Sequence, residues 1–222
     1  MHTYFWQLFL LFCLSSPLNS TATTCQNRQS HNLPQQKASA HIIIRNACMH
    51  DLKKLLALDR RVSFEYFKPI YANGYAHLEL GKNPDYFLEL ELQNDASWLP
   101  ACIQGTTQEQ ILIAYDQQRQ TCAGFLIFHL HAPRTLELDL LLIDAPYRGT
   151  GIGKKLIFAA IALSSQITSC IVYPLRYANT DTLAFYRAIG FADLGPDTRN
   201  KINVYGINCA DMYLYYRLDI KN

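Results

Sequence analysis

The feature that most constrains this chain is a strand that runs into a glycine-rich loop, inside which a helix begins. Residues 138–143 are apolar apart from one aspartate, and the loop after them contains Gly149, Gly151 and Gly153. Unpaired N–H groups and the positive end of the dipole at a helix start attract anions. Glycine lets the backbone approach a phosphate closely because it carries no Cβ. The segment therefore predicts a phosphate-type anion site, with the helix running from about Lys154 to Ser164.

Two lysines, Lys154 and Lys155, stand in the first turn of this helix. A cation there is disfavoured by about 0.3–1 kcal/mol because it faces the positive end of the dipole. A bound anion would reverse that effect, whereas the alternative is that both side chains point to solvent.

Two common phosphate-loop patterns do not fit the loop. A P-loop needs glycine where Arg148 stands and serine or threonine where Lys155 stands. A dinucleotide-binding loop fits Gly149 and Gly151 but needs a third glycine at Lys154. These failures disfavour a nucleotide-binding protein of either kind.

The pattern that fits is Arg/Gln-x-x-Gly-x-Gly/Ala, on Arg148, Gly151 and Gly153. Residues 146–153 resemble the pyrophosphate loop of the GNAT superfamily of acyl-CoA-dependent N-acetyltransferases. Residues 179–191 resemble the Asn-x-x-Ala-x-x-Phe-Tyr-x-x-x-Gly-Phe helix of the same family. The resemblance covers about residues 42–218 and is weakest over residues 63–107.

This resemblance implies a binding site for acetyl-CoA as co-substrate. Its pyrophosphate would bind main-chain N–H groups of the loop and helix start, namely Arg148, Gly149, Thr150, Gly151, Ile152, Gly153 and Lys154. Its pantetheine arm would pair with the strand edge at Leu141, Leu142 and Ile143 and contact Asn179. The strand at residues 167–173 would splay from that edge to admit the thioester.

The resemblance also implies catalytic residues. Tyr186 matches the tyrosine that protonates the leaving thiolate, although a core aromatic is the alternative. The base is Glu137, which we favour slightly, or Asp139. Strand alternation predicts that both share one face with Leu141 and Ile143. Each acid could instead be a solvent-facing strand carboxylate, and an amine that arrives neutral needs no base.

Two histidines, His129 and His131, lie near the end of the preceding strand. They could flank the acceptor cleft, but we interpret them as partly exposed strand residues and assign them no role.

The remaining pattern predicts an α/β domain of mixed α+β type over residues 39–222. Predicted strands cover residues 41–45, 111–115, 124–130, 135–143, 167–173 and 212–218. Predicted helices cover residues 50–62, 154–164 and 179–189, and residues 63–92 read as helical in pieces. With the resemblance, we expect a mostly antiparallel sheet of six to seven strands, splayed at the CoA site, and about four flanking helices.

The first residues differ from the rest of the chain. Residues 5–14 are almost entirely apolar, too short for the ~20 residues of a bilayer span, and small residues follow them. We expect residues 1–22 to be an export signal, residues 23–38 a polar linker, and no stable membrane insertion after the signal is removed. The alternative is that these residues stay attached to a cytoplasmic protein, which would meet acetyl-CoA inside the cell.

Composition narrows the functional class. The net charge is only +2, and a dense Lys/Arg run typical of nucleic-acid binding is missing from the sequence. The seven cysteines include no C-x-x-C pair, so we expect no metal site, and Cys122 and Cys170 read as buried small hydrophobes.

The sequence thus predicts acetyl transfer from acetyl-CoA to a primary amine, by direct attack in a ternary complex. The acceptor, a small molecule or a protein lysine or N-terminus, stays open, and so does the oligomeric state. The alternative is an acyl-CoA sensor or inactive relative without transferase activity.

Overall fold

The structure is a computed structural model that describes residues 41–70, 84–174, 180–196, 203–204, 207–208 and 214–220 of the 222-residue chain. The expected export signal, the polar linker and Asn179 lie outside these residues.

Nine strands and four α-helices are found in the described residues. The strands are β1 (Ile42–Asn46), β2 (Gln110–Asp116), β3 (Thr121–Ala132), β4 (Thr135–Ile143), β5 (Ser169–Val172), β6 (Ala192–Pro196), β7 (Asn203–Val204), β8 (Ile207–Asn208) and β9 (Leu214–Asp219). The helices are α1 (Leu52–Ile70), α2 (Pro84–Ile103), α3 (Ile152–Ile161) and α4 (Thr180–Ile189), with short 3-10 turns at Met49–Asp51 and Ala145–Tyr147.

Seven of the strands form one sheet in the order β1-β2-β3-β4-β5-β9-β6, and β7 pairs with β8 alone. Every neighbouring pair in the large sheet is antiparallel except β4 and β5, which run parallel. A parallel pair needs a crossover connection, and α3 lies in that connection. The predicted mixed α/β class, the seven-stranded sheet and the four helices are confirmed.

Apolar side chains cover both faces of the sheet. We call the residues packed between the sheet and α3 and α4 the first core cluster; Leu126, Leu156 and Tyr216 are fully buried there. The second core cluster lies between the sheet and α1 and α2, and Leu55, Leu58 and Leu99 are buried in it. The sheet is therefore the middle layer, and the edge of any central strand is reached only where the sheet opens.

The predicted cysteine environments are confirmed. Cys122 and Cys170 are almost fully buried. Burial raises the pKa of the Cys122 thiol to about 11 and that of Cys170 to about 12. Because the thiolate is the reactive form, both residues serve as small apolar core groups.

A partly buried ion pair fixes the start of α1. The Asp51 carboxylate accepts two hydrogen bonds from Arg45, at 2.7 and 2.8 Å, and one from the Cys48 backbone N–H at 2.9 Å. The Arg45 hydrogen bonds are the main reason that the pKa of Asp51 falls to about 2. The predicted helix at residues 50–62 is confirmed, and it continues to Ile70.

Strand β6 was not predicted from the sequence. It contains Gly195 and ends at Pro196, residues that favour turns. It forms because β9 offers it a free edge, and their register shifts between Asp193 and Pro196. None of the helices in the described part of the chain is both long and apolar enough to cross a membrane.

Candidate active site

The sheet opens between its two parallel strands. Pairing of β4 with β5 starts at Thr135 and Ser169 and ends at Leu138 and Val172. β4 continues to Ile143 and stays paired with β3 up to that residue. Among the described residues, the half of β4 from Asp139 to Ile143 therefore faces no β5 partner, and we call this place the β4–β5 opening. It contains Leu141, Leu142 and Ile143, the segment predicted to pair with the pantetheine arm.

The loop after β4 leads to a helix start that no side chain caps. Gly151 is the N-cap residue of α3 and lies in the left-handed region at φ 83°, which glycine adopts without strain. The first main-chain bond of the helix runs from the Lys155 N–H to the Gly151 carbonyl at 3.0 Å. The N–H groups of Ile152, Gly153 and Lys154 precede that bond, so they are the orphan donors of the helix start. This geometry suits an anion beside the β4–β5 opening.

Two other predicted loop residues help to shape the turn. Gly149 is also left-handed, at φ 75°. The Thr150 hydroxyl donates to the Tyr147 carbonyl at 2.6 Å. Lys154 is exposed, and its ammonium lies 5.7 Å from the centre of the Phe158 ring. The positions of Gly149, Thr150 and Lys154 indicate that the main chain of this loop, rather than its side chains, would contact a ligand.

Gly153 brings α3 close to its neighbours. A Cβ built on this residue would lie 2.9 Å from Cζ of Phe185 in α4 and 3.6 Å from Cδ2 of Leu141 in β4. A larger residue would push the helix start away from both. Gly153 therefore serves close packing, and the orphan N–H groups of α3 stay near the open half of β4.

The side chain of Arg148 is turned toward α1. Its guanidinium donates to the two Glu65 oxygens at 2.7 and 3.0 Å and to the Ile143 carbonyl at 3.0 Å. Arg61, one helical turn before Glu65, makes a second two-bond contact with Asp144, at 3.1 and 2.8 Å. Two arginine–carboxylate pairs thus join α1 to the loop that follows β4.

A β-bulge at Asp139 corrects the predicted strand alternation. Ile127 of β3 pairs with Leu140 and Phe128 pairs with Leu138, so Asp139 is an extra residue in β4. The extra residue reverses the facing of every later side chain. The first core cluster takes Leu136, Leu138, Leu141 and Ile143, and the second takes Leu140 and Leu142.

The prediction that Glu137 and Asp139 share a face with Leu141 and Ile143 is therefore wrong. The two acids lie on the face covered by α1 and α2, whereas Leu141 and Ile143 lie on the face covered by α3. Strand alternation could not reveal this, because a bulge changes the count of residues without an obvious mark in the sequence.

The two acids and two histidines of β3 form one connected group, which we call the acid–histidine cluster: His129, His131, Glu137 and Asp139. His129 Nδ1 lies 2.8 Å from Asp139 Oδ2, and its Nε2 lies 3.8 Å from Glu137 Oε2. His131 Nδ1 lies 2.8 Å from the same Glu137 oxygen. His129, Glu137 and Asp139 are largely buried, whereas the His131 side chain is 49% exposed. The cluster thus runs from the interior to the surface.

Burial and charge act against each other in this cluster. Burial disfavours the charged form of His129, but the Asp139 hydrogen bond and the charges of Asp139 and Glu137 outweigh it, so the pKa of His129 is raised. Burial also raises the pKa of Asp139, although its contact with His129 acts in the opposite direction. The raised values mean that a proton is held readily between these side chains.

The predicted acid, Tyr186, lies in the first core cluster. It is 6% exposed and packs against Phe185, Phe191 and Tyr216, with ring centres 5.2, 5.4 and 6.3 Å away. The structure therefore places it in α4, next to the residue that touches Gly153. Its assignment as the acid remains a prediction.

Several residues of this region were missed or given no role from the sequence. The predicted partly exposed state of His129 is wrong, because it is 6% exposed. The sequence does contain one signal, a His-x-His pair near the end of β3 followed by Glu-x-Asp near the start of β4. Arg61 and Glu65 carry no local signal, since their partners lie 83 residues away.

Comparisons with known proteins agree with this geometry. The profile of the acetyltransferase (GNAT) family matches residues 73–191, which is more than half of the chain. No curated protein matches the sequence.

Solved structures share the fold. The chain is similar to PaiA N-acetyltransferase from Thermoplasma acidophilum in complex with coenzyme A, with a TM-score of 0.61 and 21% identity over 81% of this chain and 99% of that one. It is also similar to a GNAT-family acetyltransferase from Staphylococcus aureus Mu50, with a TM-score of 0.54 and 16% identity over 81% and 99%. A third similar structure is an acetyltransferase from Streptococcus agalactiae 2603, with a TM-score of 0.53 and 19% identity over 82% of this chain and 99% of that one. At these sequence identities, the structural similarity establishes the fold.

Two parallel strands separate beside a helix start that no side chain caps, and the family profile matches the chain. Together these findings define an acyltransferase. The chain belongs to the GNAT acetyltransferase family.

Proposed function

We propose that this protein transfers an acetyl group from acetyl-CoA to a primary amine by direct attack in a ternary complex. The observation that carries the proposal is the β4–β5 opening, which has a β4 edge outside the parallel ladder, orphan helix N–H groups after β4, and the acid–histidine cluster where the ladder ends.

The main chain of the loop and α3 suits the CoA pyrophosphate. Ile152, Gly153 and Lys154 contribute orphan N–H groups, and the helix dipole favours negative charge at the same place. The edge of β4 at Leu141, Leu142 and Ile143 is able to pair with the amide groups of the pantetheine arm. Arg148, Gly149, Thr150 and Gly151 form the turn. Asn179 is proposed as a further contact from the resemblance alone.

The chemical step joins the amine nitrogen to the thioester carbonyl carbon and breaks the C–S bond. Glu137 accepts the proton that the amine loses, directly or through water. Tyr186 donates a proton to the departing thiolate. Holding both reactants in this geometry lowers the activation barrier by about 7–11 kcal/mol.

Glu137 is the better base of the two acids. Asp139 Oδ2 lies 2.8 Å from the buried His129, whereas Glu137 Oε2 lies 2.8 Å from His131, whose side chain is 49% exposed. A proton taken by Glu137 can pass to His131, whose half-exposed ring reaches water. Asp139 then holds His129 in place.

The charge around the site suits a cationic acceptor. Glu109 is buried, and its charge acts on both His129 and Asp139. Three carboxyl groups face two histidines in this region, and this composition suits an ammonium ion, which Glu137 then deprotonates. A small amine and a protein lysine or N-terminus share this chemistry.

The deciding experiment is a thiol-release assay with acetyl-CoA and a panel of acceptors. The panel contains polyamines, small aromatic amines, free lysine and lysine-containing peptides. Thiol release that depends on one amine class, with the acetylated amine identified by mass spectrometry, supports the proposal. Tight CoA binding without acetylation of any panel member would favour an acyl-CoA sensor, and binding of ATP or NAD but not CoA would remove the proposal.

We also propose that residues 1–22 form an export signal, on the basis of the apolar run at residues 5–14 and the small residues after it. Sequencing the N-terminus of the protein made in its own host tests this. A mature chain that still begins at Met1 would contradict it.

A further inference from the structure

The acid–histidine cluster has the composition and spacing of a metal site. The rings of His129 and His131 lie close together, with centres 6.3 Å apart. Glu137 is the direct β4 partner of His129. One ligand atom from each of these three residues lies within 4.8 Å of the other two.

The distances suit a tetrahedral ion. Zinc binds histidine nitrogen and carboxylate oxygen at about 2.0–2.2 Å, which puts neighbouring ligand atoms about 3.4 Å apart. Here His129 Nε2 and His131 Nδ1 lie 3.8 and 2.8 Å from Glu137 Oε2. These two separations lie on either side of the tetrahedral value.

Asp139 completes the arrangement from outside. It contacts His129 Nδ1 at 2.8 Å, which leaves Nε2, the atom nearer Glu137, as the ligand nitrogen. A carboxylate that holds the distal nitrogen of a histidine ligand in this way is a common feature of zinc sites.

We propose that His129, His131 and Glu137 bind one zinc-type divalent cation, with Asp139 orienting His129. Two histidines and one glutamate form a three-ligand set that leaves a fourth position for water. The half-exposed ring of His131 gives the ion a path from solvent. The proposal replaces the expectation of no metal site, which rested on cysteine spacing.

Metal binding has a consequence for catalysis, and this consequence alone rests on the proposed function. A Glu137 carboxylate that coordinates the ion cannot accept the amine proton. Zinc therefore acts as a reversible inhibitor of transfer, and a chelator restores activity.

The test is calorimetric titration of the metal-stripped full chain with Zn²⁺. We expect one bound ion per chain for the wild type. Asp139→Asn should weaken binding by about 10–100-fold, as loss of an outer-shell partner does elsewhere. His131→Ala should weaken it more steeply. The matched control is His41→Ala, which removes an exposed histidine outside the cluster and should leave zinc affinity unchanged.

Cobalt absorption separates this site from binding by cysteine. Co²⁺ held by nitrogen and oxygen shows only weak visible bands, whereas thiolate ligands such as Cys48, which is exposed, add intense sulfur-to-metal charge transfer. Wild type that binds no zinc, zinc affinity that His131→Ala leaves unchanged, or a sulfur charge-transfer band would each overturn the proposal. Zinc binding that depends on these residues in a protein that acetylates no amine would uphold the site and reject the proposed function.

Discussion

Individual side chains at the β4–β5 opening have distinct surroundings, so single substitutions separate their roles. Glu137 contacts the half-exposed His131, whereas Asp139 contacts the buried His129, each at 2.8 Å. Tyr186 lies on the other face of the sheet among aromatic rings. The proposed base on one face and the proposed acid on the other would suit a thioester that passes between β4 and β5.

Glu137→Gln keeps the shape of the side chain but removes its capacity to accept a proton. We expect kcat to fall by about 10²–10⁴-fold with little change in acetyl-CoA affinity. Asp139→Asn should have a smaller effect, because Asp139 acts through His129. Steady-state kinetics on both variants in chelator-treated buffer checks this; a larger loss for Asp139→Asn would exchange the two roles.

Tyr186→Phe removes only the hydroxyl. We expect turnover to fall by about 10-fold or more while CoA affinity stays near that of the wild type, because a general acid acts on the leaving group. Calorimetry with CoA and thiol-release kinetics provide the two readouts. Unchanged turnover would make Tyr186 a core residue only.

Asp59 is a buried acid in α1, 1% exposed, that accepts a hydrogen bond from Ser63 at 2.9 Å. Burial raises its pKa, although hydrogen bonds with Asp95 of α2 and with Ser63 act in the opposite direction. A raised folded-state pKa gives stability that is present below the unfolded pKa of about 3.9 and is lost as pH rises through the folded value. We expect Asp59→Asn to raise the free energy of unfolding at pH 8 by about 1 kcal/mol and to flatten its pH dependence.

Asp51→Asn is the matched control, with the opposite sign. Its pKa of about 2 gives stability that is present above about pH 4 and is lost toward pH 2. The Asn variant should therefore be less stable than wild type by about 2 kcal/mol at pH 7 and similar to it near pH 2. Urea unfolding across pH measures both variants; Asp59→Asn less stable than wild type at pH 8 would contradict the first expectation.

At the scale of elements, the close contact of β3 with β4 sets the geometry of the opening. A Cβ on Gly124 would lie 2.8 Å from the Leu142 carbonyl oxygen and 2.6 Å from Ile143 Cδ1. The side chain could move, but the backbone oxygen belongs to the strand that is predicted to bind pantetheine.

Gly124→Ala should therefore cost about 1–3 kcal/mol of stability and lower activity, because overpacking displaces β4. The control is Gly105→Ala. It places a side chain at φ 69° with nothing within 4 Å, so about 1 kcal/mol of backbone strain and unchanged turnover are expected. Chemical denaturation and kinetics check both, and full activity in Gly124→Ala would show that β4 tolerates the shift.

Local signals explain which elements were predicted from the sequence. The strand, the glycine loop and α3 follow from neighbouring residues, and so does α1, whose buried Leu55, Leu58 and Val62 recur at helical spacing. The bulge at Asp139 and the strand β6 depend on partners elsewhere in the sheet, which local patterns do not report. The acid–histidine cluster was missed for the same reason, since strand register brings His129 and Glu137 together.

At the scale of the whole molecule, two ion pairs couple α1 to the loop before α3. Glu65 and Arg148 are each about half exposed, so their pair contributes at most about 1 kcal/mol to stability. The Glu65 charge nevertheless lies at the loop that is proposed to hold a pyrophosphate.

Glu65→Gln should leave the free energy of unfolding nearly unchanged and lower the Kd of CoA a few-fold, because a negative charge near the phosphates is removed. The effect should shrink as salt is raised, since screening weakens it. Asp219→Asn, which breaks another exposed arginine–acid pair in β9, is the control and should not alter CoA affinity. Weaker CoA binding in Glu65→Gln would instead mean that the pair orders the loop.

Among the described residues, β4 has no β5 partner beyond Leu138, so the main-chain donors and acceptors of that edge lie outside the parallel ladder. Such an edge is selective for extended, amide-bearing molecules, because only they can continue the ladder. It also resembles the edges through which β proteins aggregate. The proposed binding of CoA would cover this edge, so we expect the CoA-bound protein to aggregate less than the free protein.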